Sequence, residues 1–175
     1  MPVATPWKKL LSLLAVASAP MLLGSAGLND NLDQRVLAAH NRERIATGIP
    51  ALVWDEGLAQ SARAYAAKMS ATGQFKHSDD EPGVAPQGEN LWAGTPGYYS
   101  PESMVGLWVA EKRDFKPGVF PMNSRTGDIE AVGHYTQLMW RRSSAVGCAL
   151  AHGRAEDFLV CRYSTAGNVV GQLPY

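Results

Sequence analysis

Apolar positions recur at helical spacing in two early stretches of the chain. Leu32, Val36, Leu37 and His40 share one face of a helix predicted to start at Asn29 or Asn31, run to about Thr47 and stop at Gly48. A second helix is expected after Asp55, its N-cap, with Leu58, Ala62, Tyr65, Ala66 and Met69 on one face and Gly73 at its end. Residues 75–88 are polar and rich in proline and glycine, the composition of a loop, and a short strand is expected at 90–93. Ser100, Pro101 and Glu102 combine a cap, a first-turn proline and an acid where the helix dipole favours it. The helix they open sets Met104, Leu107, Trp108 and Glu111 on one face. Residues 115–127 read as loop, and a short helix is expected from near Ile129. Two apolar runs around a polar turn at 152–157 predict a β-hairpin, and the remaining tail reads as extended and irregular. Together these give three or four helices and a small antiparallel sheet, an α+β layered fold.

The first residues follow another pattern. Lys8 and Lys9 precede an apolar run at 10–24 that ends in small residues, the arrangement of a secretory signal peptide over residues 1–26. Cleavage after Ala19 or after Ala26 fits; Met21, Leu22 and Leu23 extend the apolar core and favour Ala26. The run is broken by Pro20 and is shorter than the ~20 apolar residues of a spanning helix. Removing residues 1–26 takes two lysines and no acid, leaving 14 basic against 16 acidic side chains, a net charge of −2.

Export bears on the two cysteines. Equal counting outward from a turn at 153–156 puts Cys148 directly opposite Cys161, close enough for a disulfide, which an oxidising compartment allows to form. The 175 residues, 46% hydrophobic and 18% charged, suit one globular domain, here 28–175. Basic and acidic residues balance at 16 each and no basic block stands out, which argues against nucleic acid as a partner.

Four residues carry candidate chemistry: His77 in a loop, Glu89 at the head of an apolar strand, Glu111 on an apolar helix face and His134 before the apolar run 138–140. Their spacing alone does not join them. The surrounding motifs do: GHYTQLMWRRS at 133–143, FLVCRYSTAGNVVGQLPY at 158–175, HNRER at 40–44 and GENL at 88–91. In this order they resemble the signatures of the CAP superfamily (the SCP domain of cysteine-rich secretory proteins, antigen 5 and pathogenesis-related 1 proteins) over about 32–175. The sparse cysteines look like those of a compact, bacterial-type secreted member. Many relatives carry one or two prolines where this chain has Ser164, Thr165 and Ala166.

The resemblance implies an α-β-α sandwich, with a three-stranded antiparallel sheet between helices. It also implies a cleft in which His77, Glu89, Glu111 and His134 meet. Two imidazoles and two carboxylates suit a divalent ion, zinc first, with the glutamates as ligands or as acceptors for metal-bound water. Without metal, two close carboxylates would repel and one would hold a proton. His40, Asn41, Thr136 and Gln137 are expected to be structural. Members of the family are linked to sterols and other lipids, which implies a non-catalytic binding module for an apolar ligand. The loop at 91–99, with Tyr98 and Tyr99, is then the expected pocket wall. The alternative is a zinc-dependent hydrolase of peptide, ester or cell-wall substrates working through Glu89 and Glu111. A secreted or periplasmic monomer, touching membrane only through its signal peptide, completes the expectation.

Overall fold

The computed structural model describes residues 27–79 and 85–175; the expected signal peptide lies outside the described residues. The chain runs through α1 (Leu32–Ala46), β1 (Val53–Trp54), α2 (Glu56–Thr72), β2 (Gly88–Gly94), α3 (Pro101–Ala110), a 3-10 turn (Glu111–Asp114), α4 (Gly133–Leu138), β3 (Ala145–His152) and β4 (Asp157–Ser164). Two helix starts obey the capping expected of them. The Asp55 side chain accepts the Leu58 N–H, and Ser100 accepts the Ser103 N–H with Pro101 in the first turn. Gly73 ends α2 in the left-handed region at φ 68°, a conformation that a side chain would strain.

The sheet has the order β1-β3-β4-β2. Its three long strands are antiparallel, as expected; the two-residue β1 adds a fourth, parallel to β3. Strand alternation assigns the two faces. Val146, Cys148, Leu159, Cys161 and Tyr163 face a core shared with Val36 of α1, Trp108 of α3 and Leu138 of α4. Ala149, Phe158 and Val160 face Ala62, Ala66 and Met69 of α2. The fold is thus an α-β-α sandwich. Small residues let α2 lie close on the sheet: a Cβ on Gly147 would collide with Ala59 N and come within 2.5 Å of Asp55 O. Cys148 and Cys161 are directly opposed, with Cα atoms 4.1 Å apart, and are disulfide-bonded.

Two local expectations change. The short helix starts at Gly133, since residues 128–132 form a turn in which Asp128 accepts the Glu130 N–H and Ile129 O accepts the Val132 N–H. Leu107 is 51% exposed, because α3 meets the core through Met104, Val105 and Trp108.

Arg44, the last residue of the HNRER motif, is fully buried. It donates Nε to Pro50 O, Nη1 to Leu138 O and Trp140 O, and Nη2 to Ser143 O, at 2.8–3.0 Å. Burial pulls its pKa down to about 10, so it stays charged at neutral pH. One guanidinium therefore fastens the end of α1 to the chain leaving α4, where helix-terminal carbonyls lack partners.

Candidate functional site

Glu89, the second residue of β2, is opposed in register to Arg162 of β4. Its Oε2 lies 2.9 Å from Arg162 Nη2, an ion pair whose alignment is too poor for a hydrogen bond. His77 and Ser78 meet this carboxylate: His77 Nδ1 donates to Glu89 Oε1 at 2.7 Å and the Ser78 amide donates to the same oxygen at 3.0 Å. Burial alone would raise the Glu89 pKa. The bond from His77, the Arg162 charge and the Ser78 amide outweigh it and hold the carboxyl below its usual value. Glu89 is therefore not the proton-holding acid expected of a glutamate pair. Its ion pairs add stability above the ordinary carboxylate pKa, and that contribution fades as pH falls through the lowered folded value.

The second pair is built at a helix end. No side chain of its own caps α4 at Val132. Glu111, from the 3-10 turn after α3, supplies the cap: its Oε2 accepts the N–H groups of His134 at 2.9 Å and Tyr135 at 3.0 Å. Its Oε1 accepts His134 Nδ1 at 2.6 Å. The imidazole stacks on Trp108, with centroids 6.0 Å apart and planes 12° apart.

A buried chain of bonds supports this histidine from below. Asn90 donates to His134 O and to the Tyr163 hydroxyl. Tyr163 donates to His40 Nε2, while His40 Nδ1 donates to Val36 O. Burial lowers the His40 pKa to about 4, which keeps the ring neutral. His40 and Asn41 are structural, as expected; Asn41 exchanges two hydrogen bonds with the Leu52 backbone. Thr136 bonds Gly133 O and Asn168, and Gln137 accepts the Gly167 N–H, while Leu138, Met139 and Trp140 are buried.

His77 and His134 line one cavity of about 590 Å³, whose apolar wall is Phe75, Leu91, Phe120 and Ile129. Glu89 also lines it, and Glu111 stands behind His134. A larger, more polar cavity of about 900 Å³ opens on the other side of Glu89, between α2 and β4. Among the described residues no three His, Cys, Asp or Glu side chains are grouped as metal ligands. The four residues form two histidine–glutamate pairs. In each, the carboxylate holds Nδ1, and Nε2 has no hydrogen bond among the described residues. The oxygens of Glu89 and Glu111 are engaged by imidazole, guanidinium and backbone groups. Carboxylate–imidazole pairs of this kind fix the tautomer and aim the other nitrogen, which fits a histidine-bound divalent ion.

Tyr98 and Tyr99 line neither cavity. They follow β2 at the end away from Glu89; Tyr98 is exposed, and Tyr99 packs edge-on against Trp92 at 5.0 Å. Arg162, Asn90 and Tyr163 were not singled out by sequence. The one signal for Arg162 is its place beside Cys161 in the hairpin, which opposes it to whichever residue of the neighbouring strand precedes Asn90.

Residues 37–163 match the sequence profile of CAP, the cysteine-rich secretory protein family. The chain is 33% identical over 171 residues to a pathogenesis-related protein of PR-1 type from Sambucus nigra, covering 97% of both chains. It is 36% identical over 143 residues to pathogenesis-related protein 1 of Arabidopsis thaliana, covering 81% of both. Among solved structures, the crystal structure of NaASP2 with Zn2+ shares the fold with a TM-score of 0.70 at 21% identity, over 86% of this chain and 88% of that one. An outer surface protein from Borrelia burgdorferi does so with a TM-score of 0.56 at 13% identity, over 79% and 95%.

Proposed function

The chain belongs to the cysteine-rich secretory protein (CAP) family, and from that premise we propose that it is an exported binding module whose cleft holds a divalent ion, zinc first, beside an apolar ligand. The observation that carries the reading is the paired orientation of His77 and His134. Each imidazole is held at Nδ1 by its own glutamate and lines the same cavity. Two neutral nitrogens leave coordination positions for water or for a polar group of the ligand. NaASP2, whose fold this chain shares, was crystallised with Zn2+, which makes zinc the first ion to test. The Phe75, Leu91, Phe120 and Ile129 wall supports an apolar small molecule or lipid over a polar one. The buried disulfide and the expected signal peptide support export, to the periplasm or beyond the cell.

The hydrolase alternative needs a carboxylate free to take a proton from water. Both oxygens of Glu111 accept backbone or imidazole N–H groups, and Glu89 is held by His77, Ser78 and Arg162, which favours binding over catalysis.

Calorimetric titration with zinc tests the metal reading. His77→Ala and His134→Ala are each expected to weaken binding at least tenfold; affinity equal to the parent in both variants would overturn it. Displacement of a fluorescent fatty acid tests the apolar ligand. Phe75→Ser, at a 53% exposed position, is expected to weaken uptake without changing the melting temperature, while the Tyr98→Ser/Tyr99→Ser double variant binds as the parent does. The reverse ranking would move the ligand to the tyrosine loop.

A further inference from the structure

Five large aliphatic side chains stand exposed on one part of the surface, outside both cavities: Val119, Met122, Val169, Val170 and Leu173. Met122 is 71% exposed and Val170 75%. They are not scattered. Residues 119–122 and 169–173 belong to two loops laced by backbone bonds, with the Phe120 N–H donating to Gln172 O and the Gly171 N–H donating to Phe120 O, both at 2.8 Å. Each loop is also closed on itself, by Met122 N–H to Val119 O and by Gln172 N–H to Val169 O. The aliphatic side chains are therefore presented on a braced platform, and an apolar surface of this kind marks a contact site.

Charge around the platform says what it contacts. Segments 115–125, 139–143 and 165–175 contain four cationic side chains and no aspartate or glutamate, in a chain whose basic and acidic residues balance at 16 each as a whole. Lys116 lies beside the first loop, its N–H donating to Asn123 O, and Arg125 donates Nε to Phe115 O. Arg141 lies beside the second, its N–H donating to Pro174 O, and the Arg142 carbonyl accepts the Thr165 hydroxyl. All four are exposed. The nearest acid along the chain, Asp114, is paired with Arg113 at 3.0 Å. On the cleft side, Asp128 and Glu130 limit how far the positive rim extends.

We propose that this platform docks the folded domain on an anionic lipid surface, with the five aliphatic side chains entering the headgroup boundary and Lys116, Arg125, Arg141 and Arg142 meeting acidic headgroups. Aliphatic insertion combined with cationic attraction is the pairing that holds peripheral proteins at membranes, since neither alone suffices. No helix among the described residues is long and apolar enough to cross a membrane, so the contact is interfacial. Phe120 belongs to the first loop and also lines the cleft of His77 and His134, so docking would bring the cleft mouth toward the bilayer. The proposal goes beyond the expectation that only the signal peptide touches membrane, and it does not depend on metal in the cleft.

Vesicle co-sedimentation tests it, using the chain as purified from an exporting host, with every variant in the same form as the parent. The probes are phosphatidylcholine vesicles with and without phosphatidylglycerol. The parent is expected to bind the anionic vesicles and to release as salt is raised. Arg141→Gln with Arg142→Gln is expected to weaken binding about thirtyfold, from the attraction each basic residue adds at such a surface. Met122→Ser with Val170→Ser, at exposed positions that leave the core intact, is expected to abolish it while the melting temperature is kept. Binding unchanged in both double variants would overturn the proposal. So would absence of vesicle binding by the parent, whether the protein is a monomer or forms a dimer that Val170→Ser dissociates; the dimer would make the platform an interface between copies.

Discussion

Arg44→Met is expected to lower the stability of the domain by about 4 kcal/mol, because the carbonyls of Pro50, Leu138 and Ser143 lose their only shown donor, Trp140 O keeps only the Ser143 N–H, and each buried unpaired group costs ~1–3 kcal/mol. Methionine fills much of the arginine volume and removes a desolvated charge, which offsets part of the loss. A domain of this size has ~5–15 kcal/mol in all, so the variant stands near the edge of folding, with a melting temperature lower by roughly 10 °C or more. Arg44→Lys separates charge from geometry. The ammonium keeps the charge but is a single point, and it cannot reach Pro50 O on one side and Ser143 O on the other as the planar fork does. It is expected to fall between parent and methionine. Urea unfolding followed by circular dichroism reads both. A loss below about 1 kcal/mol in Arg44→Met would show that the carbonyls find other donors and that the guanidinium is not the fastening.

Glu111→Ala is expected to damage two properties through one carboxylate. It removes the acceptor for the second and third N–H groups of α4, those of His134 and Tyr135, a loss of about 2–3 kcal/mol for charge-assisted bonds in a partly buried place. It also frees His134 Nδ1, so the ring loses the partner that fixes its tautomer, and zinc affinity is expected to fall ~10–100-fold. Glu111→Gln keeps one acceptor oxygen and should retain part of the helix cap while losing the charged partner of the imidazole. The two variants therefore split the effects: thermal melting reads the cap, and zinc calorimetry reads the histidine. If Glu111→Ala melted like the parent and bound zinc like the parent, the carboxylate would be neither cap nor orienter.

What could be read from the sequence was local or strictly periodic. Ser100-Pro101-Glu102 and Asp55 announced helix starts because capping is satisfied within three residues. Cys148 opposite Cys161 followed from counting outward from a turn. The start of α4 was misplaced by four residues because its cap comes from Glu111, 23 positions before His134, and no local rule sees such a partner. The same reason hid Arg162, which acts only through the strand register that opposes it to Glu89. The two-residue β1 is too short to carry a period. Tyr98 and Tyr99 looked like a pocket wall because aromatic side chains beside glycine and proline suit one, but that composition does not say which end of a strand the loop occupies. That His77, Glu89, Glu111 and His134 would draw together came only from the family motifs; that they would form two separate imidazole–carboxylate pairs came only from the fold.

The bond between Cys148 and Cys161 joins the two central strands, and both residues are within 3% of complete burial beneath α1, α3 and α4. A small thiol in solution has no approach to either sulfur while the layers stay closed. Reductants in solution are therefore excluded by packing, and the cross-link lasts as long as the sandwich does.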